Sequence, residues 1–449
     1  MGPFLNVERS LTGRRWVGPD LKVARQGEAI AQATGLPAPL CNVLAKRGVT
    51  PQDADAFLAP TLKDLLPNPR SLRDMEKATA RILAAVKARQ KIAIFADYDV
   101  DGGTSAALII DWLRHFDQSA TLYIPDRIDE GYGPNDEAMA MLAAAHDLII
   151  CVDCGTLSHG PITAAVGADV VVLDHHLGGE TLPPAHAVVN PNRADETGDL
   201  AHLCAAGVVF LMLVEAGRQL RIDNATGPNL LNMLDLVALG TVADVAPLIG
   251  VNRALVRQGL TVMARRERTG ITALADVSRM DTAPSSYHLG FLLGPRVNAG
   301  GRIGKADLGA RLLATRDPYE AKAMAERLDM LNTERREIEN NVRAAALEQA
   351  EERGFDEPLV WAAGEGWHAG VVGIVASRLK DAAHRPAIVI GFDGDAGKGS
   401  GRSISGVDLG AAIQKLAHEG LIEKGGGHKM AAGLSLSRAQ LEPAMARLS

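Results

Sequence analysis

Residues 91–103 read Lys-Ile-Ala-Ile-Phe-Ala-Asp-Tyr-Asp-Val-Asp-Gly-Gly, a short apolar run that leads directly into three alternating aspartates. The apolar half has the length and composition of a buried strand, and a polar loop and a helix over about 104–115 are expected after it. Similar apolar runs recur at 121–124, 148–152 and 170–173, with helical stretches between them. Short apolar strands that alternate with helices are typical of a parallel sheet covered on both faces. The sequence therefore predicts a doubly wound α/β domain.

The rest of the chain divides around this domain. An N-terminal helical segment punctuated by prolines is expected over 1–75, and the α/β catalytic domain is expected over 76–265. A connecting region, 266–356, contains a long helix at about 318–353 that is dense in Glu and Arg, a pattern typical of a solvated connector. A second, smaller α/β domain is expected over 357–449.

A hydrophobic content of 47% is typical of a globular protein. A chain of 449 residues is too long to fold around one ordinary core, so more than one domain is expected. The longest apolar run, 203–214, is shorter than the roughly 20 residues that cross a bilayer, so it predicts a buried core helix and no membrane association. No secretory signal is visible, and 4 cysteines do not make a disulfide framework. A cytoplasmic protein is the expectation.

The net charge of −7 is unlike that of many nucleic-acid binders, which are often basic. An acidic balance is compatible with a carboxylate-rich metal site, where cations supply part of the positive charge that phosphates need. Any groove for nucleic acid must then come from local clusters of basic residues.

The aspartates at 97, 99 and 101 concentrate negative charge, which is unfavourable unless cations neutralise it. A calcium-binding EF-hand loop also begins with alternating acids. Its twelfth position would here be Leu108 instead of a bidentate Glu, and a strand precedes the loop instead of a helix. The EF-hand interpretation fails on both counts, and a purely structural loop is the remaining alternative.

Two later strands also end in residues suited to metal binding. Asp153 closes one strand within a Cys-x-x-Cys pattern, whose cysteines lack a second pair for a four-thiolate zinc site and are interpreted as packing residues. Asp174, His175 and His176 close the next strand, and Asp244 closes a further apolar stretch. Ligands bind at the carboxyl ends of parallel strands, so these groups can converge on one crevice. Carboxylate and imidazole ligands suit manganese, with magnesium or zinc as alternatives, and two ions about 4 Å apart can activate a water for phosphoester hydrolysis.

Together these residues resemble the DHH phosphoesterase superfamily, most closely its RecJ branch of single-strand-specific 5′→3′ exonucleases. The resemblance covers nearly the whole chain, in order. Its motifs are 97–102, 152–155, the triplet Asp174-His175-His176, 240–244, 294–302 and 367–378, followed by 399–403 and 425–428, which resemble the substrate-binding DHHA1 domain.

The resemblance implies particular roles. It implies catalytic and metal-binding roles for Asp97, Asp99, Asp101, Asp153, His175, His176 and Asp244. His176 acts either as a ligand or as a hydrogen-bond donor or acid toward the phosphate. The candidates for gripping the substrate are Arg127, Arg296, Asn298, Arg302, Ser400, Arg402, Gly426, Gly427 and His428. Ion pairs are the alternative role for the arginines, and a tight turn is the alternative for the glycines.

The function implied is hydrolysis of single-stranded DNA to 5′-mononucleotides in DNA repair and recombination, with two Mn²⁺ ions (or Mg²⁺) as cofactors and helicase or single-strand-binding proteins as partners. One alternative is a related phosphodiesterase for short oligoribonucleotides or cyclic dinucleotides. Another is a non-catalytic scaffold, which would be expected to lose metal ligands. Many RecJ proteins continue into an OB-fold after the DHHA1 region. This sequence stops at Ser449 and is expected to lack one, either as a trimmed form of a longer protein or as a compact variant.

Overall fold

The computed structural model describes residues 2–18, 20–126, 130–355 and 357–449. Its helices are α1 (Leu21–Thr34), α2 (Ala38–Lys46), α3 (Ala54–Leu58), α4 (Leu62–Leu65), α5 (Met75–Lys87), α6 (Val100–Arg114), α7 (Asp136–Ala145), α8 (His159–Ala164), α9 (Ala205–Ile222), α10 (Leu234–Ala243), α11 (Gly250–Met263), α12 (Thr269–Val277), α13 (Gly294–Ile303), α14 (Leu308–Ala314), α15 (Pro318–Arg353), α16 (Ala369–Ala383), α17 (Leu409–His418) and α18 (Arg438–Leu448). Its strands are β1 (Ile92–Ala96), β2 (Ala120–Tyr123), β3 (Leu148–Val152), β4 (Asp169–Leu173), β5 (Ala187–Val189), β6 (Val360–Glu365), β7 (Ala387–Asp393), β8 (Ala396–Arg402), β9 (Lys424–His428) and β10 (Ala431–Ser437). Short 3-10 turns lie at Phe4–Asn6, Pro69–Ser71 and Leu230–Met233, and a π-helical segment lies at His288–Leu293.

The first sheet has the strand order β2-β1-β3-β4-β5, and every pair in it is parallel. Its strands are runs of aliphatic residues, and β1 and β3 are buried along their whole length. One face packs on a large core around Trp112 and Phe210, and the other packs on a smaller core around Met139 and Ile162. The doubly wound α/β domain predicted from the sequence is therefore confirmed.

The helix after β1 begins at Val100, four residues before the start expected from the sequence. Asp99 caps it by accepting hydrogen bonds from the amides of Asp101 (2.8 Å) and Gly102 (3.2 Å). A side chain at position 102 would place its Cβ 2.3 Å from the carbonyl oxygen of Asp97. The glycines that suggested a loop instead let the helix start directly against the end of the strand. The short strand β5 was also not expected.

The second sheet has the order β6-β7-β8-β10-β9 and is mixed, because only β6 and β7 are parallel. The glycine-rich segment forms the edge strand β9, paired with β10, and is not a tight turn. The expected long helix forms as α15. Its buried residues include Leu328 in the core of the first sheet, and Val342 and Ala346 in the core beside the second. This helix therefore packs against both parts of the fold.

The apolar run at 203–214 lies within α9, whose residues from Ala205 to Leu213 are all buried. Across the described parts of the chain, no helix combines the length and the apolar character needed to cross a membrane. The predicted core helix is confirmed.

A buried network of ion pairs connects α6 and α10. It lies at the ends of these helices that point away from the carboxyl edge of the first sheet. Arg268 donates from Nε to Asp235 at the start of α10 (2.8 Å) and from Nη1 to Asp111 near the end of α6 (2.5 Å). All three side chains are largely shielded from solvent. Because the opposite ends of α6 and α10 carry Asp101 and Asp244, this network helps to fix where those two carboxylates lie.

Replacing Arg268 by Ala should strongly destabilise the protein, because it takes the cation away from the buried carboxylate of Asp235, while Asp111 keeps its hydrogen bond from Arg114 at 2.9 Å. We expect a loss of about 3–5 kcal/mol in the free energy of unfolding. The matched control is Arg266→Ala, which removes an exposed pair with Asp276 and should cost less than about 1 kcal/mol. Urea unfolding followed by circular dichroism measures both values, and equal losses would contradict the importance of the network.

Candidate metal centre

The predicted ligands lie at the carboxyl edge of the first sheet. Asp97 follows β1, Asp153 follows β3, and His175 and His176 follow β4. Asp244 reaches the same place from the C-terminal end of α10. Three sets of side chains have ligand atoms within 4.8 Å of one another: Asp97, Asp99 and Asp153; Asp153, His175 and His176; and Asp101, His175 and Asp244. The structure thus brings all seven predicted metal-site residues together.

His175 lies at the centre of this cluster. Its Nε2 is 3.2 Å from Oδ1 of Asp153 and 3.8 Å from Oδ2 of Asp101, and its Nδ1 is 3.9 Å from Oδ2 of Asp244. Asp153 and His175 each belong to two of the three ligand sets. Sharing of this kind fits two adjacent cations better than a single one.

Asp153 is held in a strained conformation. Its φ of 60° lies in the left-handed region, which is unfavourable for a residue with a side chain, although Asp tolerates it better than most. Its amide donates to the carbonyl of Leu173 (3.0 Å), which fixes the turn. Burial raises the pKa of Asp153 well above its ordinary value, and the neighbouring carboxylates of Asp99 and Asp101 raise it further. The fold therefore holds this carboxylate where its charge is least favourable.

Asp101 and Asp244 approach the cluster from two helices. Asp101 accepts hydrogen bonds from the amides of Ala205 (2.6 Å) and Ala206 (2.9 Å) at the start of α9, where the helix dipole favours negative charge. Burial nevertheless raises the pKa of Asp101, and burial with the charges of Asp101 and Asp99 raises the pKa of Asp244 to about 8. A Cβ at Gly240 would lie 2.9 Å from Oδ1 of Asp101, so a glycine lets the helix of Asp244 pack this closely.

The donor set fits hard divalent cations. Oδ1 of Asp153 is buried and accepts no hydrogen bond from the residues that the structure describes, although the ring of His175 lies beside it. Burial raises the pKa of Cys151 to about 12 and that of Cys154 well above its usual value, so both remain neutral thiols. A set of carboxylates and imidazoles without thiolate suits Mn²⁺ or Mg²⁺, and the cysteines pack in the core as expected.

Asp174 orients the histidines. One of its oxygens accepts from the amide of His175 (2.7 Å) and from Nδ1 of His176 (2.8 Å), and the other accepts from the amide of Thr156 (3.1 Å). Burial alone would raise the pKa of Asp174, but the hydrogen bond and charge of His176 outweigh it and lower that pKa. Burial likewise opposes protonation of His176, yet Asp174 raises its pKa to about 9. Asp174 is thus a positioning residue.

Three residues that sequence reasoning missed support the same loop. Tyr132 places its hydroxyl 3.0 Å from Nε2 of His176. Asn190 donates to the carbonyl of His176 (2.8 Å) and Asn192 donates to that of His175 (2.6 Å). Both asparagines follow β5, so recognising that strand would have placed them at the same edge of the sheet. Tyr132 gives no comparable signal, because a loop carries it.

The predicted substrate-binding residues lie in several environments. Arg402 donates to the hydroxyl of Ser400 (2.9 Å) on β8. Arg302 donates to the carbonyl of Gly370 (3.1 Å), which joins α13 to α16. Asn298 accepts from the amide of Val100 (3.1 Å), within the first aspartate motif.

The remaining candidates differ in their accessibility. Arg296 is buried and donates to Asp329 (2.8 Å) and to a backbone carbonyl, which favours the ion-pair alternative for this arginine. Gly426, Gly427 and His428 lie on the edge strand β9, where His428 is exposed. Arg127 lies outside the described residues.

Comparisons with known proteins agree with these motifs. Residues 91–241 match the DHH family, N-terminal domain, and residues 356–449 match the DHHA1 domain. The single-stranded-DNA-specific exonuclease RecJ of Dickeya dadantii is 43% identical over 420 residues, which cover 89% of this chain and 72% of that protein. The crystal structure of RecJ in complex with Mn²⁺ from Thermus thermophilus is 31% identical, with a TM-score of 0.81 over 96% of this chain and 60% of that chain. The Mg²⁺ complex from the same source is 30% identical, with a TM-score of 0.74 over 96% of this chain and 58% of that chain.

Replacing Asp153 by Asn should stabilise the protein in the absence of metal and reduce its stabilisation by metal. Asn tolerates the left-handed backbone and removes one crowded charge, so in EDTA the variant should melt higher than the unmodified chain, by about 2–4 °C for each kcal/mol gained. With Mn²⁺ present the unmodified chain should be stabilised more, because it keeps the ligand. Thermal unfolding in both conditions measures this, with the exposed Asp199→Asn as control. A lower melting temperature for Asp153→Asn in EDTA would contradict the account of the repulsion.

Proposed function

This chain belongs to the RecJ family, and we propose from that premise that it is a metal-dependent exonuclease acting on single-stranded DNA. The observation that carries the proposal is the gathering of seven carboxylate and imidazole side chains into three overlapping ligand sets at one sheet edge. In a non-catalytic scaffold such crowded, buried charge would lower stability without serving a function. The likeness to RecJ of Dickeya dadantii extends over both the part with the aspartates and the part expected to grip the substrate.

Two divalent cations, Mn²⁺ or Mg²⁺, would be held by the three ligand sets, with Asp153 and His175 between them. When bound, such ions supply Lewis-acid activation of a water and neutralise charge on the attacking and leaving oxygens of a phosphodiester. The chain itself contributes orientation. Asp101 is locked by two backbone amides, and the strained turn at Asp153 fixes a second carboxylate opposite it.

We assign His176 to the substrate phosphate and not primarily to a metal. Because Asp174 accepts from Nδ1, the proton on that nitrogen is fixed, and Nε2 is directed toward the hydroxyl of Tyr132. The side chain of His176 is 45% exposed, whereas that of His175 is 17% exposed. A half-exposed imidazole held from behind by a carboxylate is suited to donate a hydrogen bond or a proton to a phosphate oxygen.

Substituting the two histidines should separate these roles. His175→Asn should weaken Mn²⁺ binding by about 10–100-fold, measured by electron paramagnetic resonance of the free ion. His176→Asn should leave Mn²⁺ affinity within a few-fold of the unmodified chain and lower kcat by about 10²–10⁴-fold. If His176→Asn loses as much Mn²⁺ affinity as His175→Asn, then His176 is a ligand and the assignment is wrong.

We also propose 5′→3′ polarity with release of 5′-mononucleotides, and we place the terminal phosphate at Ser400 and Arg402. A guanidinium fork suits phosphate oxygens. A Cβ at Gly373 would come within 3.0 Å of the Ser400 hydroxyl and 3.1 Å of the Arg402 guanidinium, so a glycine lets α16 pack closely on both groups, which stay partly exposed.

With Mn²⁺ and single strands labelled at either end, products should shorten from the 5′ end. Arg402→Gln should raise KM for 5′-phosphorylated strands by about tenfold or more, because a charge-assisted hydrogen bond contributes about 1.5–3 kcal/mol. A product ladder that starts from the 3′ end would overturn the polarity. A dinucleotide cleaved faster than a long strand would instead favour a phosphodiesterase for short substrates.

Partners and location are part of the same proposal. A single-strand-specific enzyme acts on duplex DNA only after the strands are opened, which supports a helicase or a single-strand-binding protein as partner. The four cysteines are free and buried, which supports a reducing, cytoplasmic setting.

A further inference from the structure

A cleft rich in arginine lies beside the metal centre, between α13, α15 and α16. It has a volume of about 550 Å³, within the range of roughly 300–1,000 Å³ typical of ligand sites. Five guanidinium groups line it, and the charged groups that line it are Arg302, Arg335, Arg336, Arg343, Arg378 and the single acid Glu339. Three of the arginines come from α15, the helix whose sequence indicated only a solvated connector.

The positive charge of the cleft is not balanced by its one acid. Glu339 accepts from Arg335 at 2.5 Å and lies 3.9 Å from Arg378, so it serves two guanidinium groups. Arg336 and Arg343 are exposed and form no ion pair within the part of the chain that the structure describes. Burial lowers the pKa of Arg335, and the positive charges of Arg336 and Arg378 lower it further. In a chain of net charge −7, this is a local excess of positive charge.

An aromatic pair stands at the same cleft. Phe291 lines the cleft and is 64% exposed, and its ring stacks on that of Tyr287 with centroids 5.1 Å apart and an angle of 24°. Tyr287 is itself 59% exposed. Phe291 lies in the π-helical segment His288–Leu293. Such segments are rare in proteins, and those that occur are often found at functional sites. Exposed aromatics beside cations are what unstacked bases need.

The cleft adjoins the first aspartate motif through one of its lining residues. Asn298 lines it and accepts a hydrogen bond from the amide of Val100, which lies between two of the metal-site aspartates. A strand lying in the cleft would therefore pass close to the first aspartate motif.

We propose that this arginine cleft binds a stretch of single-stranded nucleic acid, with backbone phosphates on Arg336, Arg343 and Arg378 and a base stacked on Phe291. The inference rests on the proposed function for the identity of the polymer. It adds a second contact region, separate from the terminal phosphate at Ser400 and Arg402.

A polymer explains the cleft better than a small anion does. Arg336 and Arg343 are seven residues apart on one helix, which is about 10 Å along its axis. A single phosphate would not stack on the exposed ring of Phe291, whereas a strand can place its phosphates on the arginines and a base on the ring.

The test is the affinity for a fluorescent oligothymidylate with a 5′-hydroxyl, measured by anisotropy in EDTA over a series of KCl concentrations. The double variant Arg336→Gln/Arg343→Gln should bind at least roughly tenfold more weakly at low salt, and its slope of log K against log salt should fall by about 1.4, the value for two phosphate contacts on a single strand. Phe291→Ala should lose roughly fivefold or more in affinity with little change in slope.

The matched control is Arg327→Gln, which removes an exposed arginine of the same helix that lies outside the cleft. If the double variant binds like this control, the proposal is overturned. It is also overturned if the loss appears only with 5′-phosphorylated strands, because the cleft would then hold the terminal phosphate. Binding is measured without metal, so a chain that binds through these arginines but does not cleave DNA with Mn²⁺ contradicts the proposed function alone.

Discussion

Mutual repulsion among buried carboxylates is the constraint on which this structure depends. Asp97, Asp101 and Asp153 are almost wholly buried within one small volume. Two like charges 4 Å apart repel by about 4 kcal/mol at the effective dielectric constant typical near a protein surface. Only a rigid frame can hold several such pairs without rearranging, and the parallel sheet supplies it, because the ends of β1, β3 and β4 lie side by side. The burial that stabilises the strands is thus also what makes the site attractive to cations.

The aspartates of the cluster differ in the hydrogen-bond partners that the protein provides for them. Asp174 belongs to none of the three ligand sets, and its hydrogen bonds fix the histidine loop. Asp101 accepts two amide hydrogen bonds from the start of α9 and is also a member of a ligand set. Asp153, by contrast, lies at a strained turn and has one oxygen that accepts no hydrogen bond from the described parts of the chain. Asp174, with the most protein partners, therefore orients the site, whereas the unsatisfied oxygen of Asp153 is available to a metal ion. The difference is set by backbone geometry, since the side chains are chemically the same.

The sequence predicts the fold and the acidic cluster because both depend on local pattern. A buried strand followed by an acid gives a position at a known edge of the sheet, and Asp97, Asp153 and Asp174 all follow this rule. Tyr132 could not be found in this way, because its hydroxyl reaches His176 from a loop whose course depends on tertiary packing. Arg296 and Arg302 show the same limit, since they occupy one helix but the first is buried against Asp329 and the second borders the cleft. Which face of α13 each occupies is decided by its neighbours in space.

The arrangement of charge also suggests an order of events. A polyanion that approaches the aspartate cluster directly meets repulsion from the protein's overall negative charge, until cations offset it. Guanidinium groups keep their charge under all ordinary conditions, so the cleft formed by α13, α15 and α16 attracts phosphates whether or not metal is bound. Different groups therefore bind the strand and promote hydrolysis. The arginines attract the strand with a permanent charge, whereas the carboxylates depend on bound metal ions to act on the phosphodiester bond. Asn298 connects the two regions, because it lines the cleft and accepts a hydrogen bond from the amide of Val100 in the first aspartate motif.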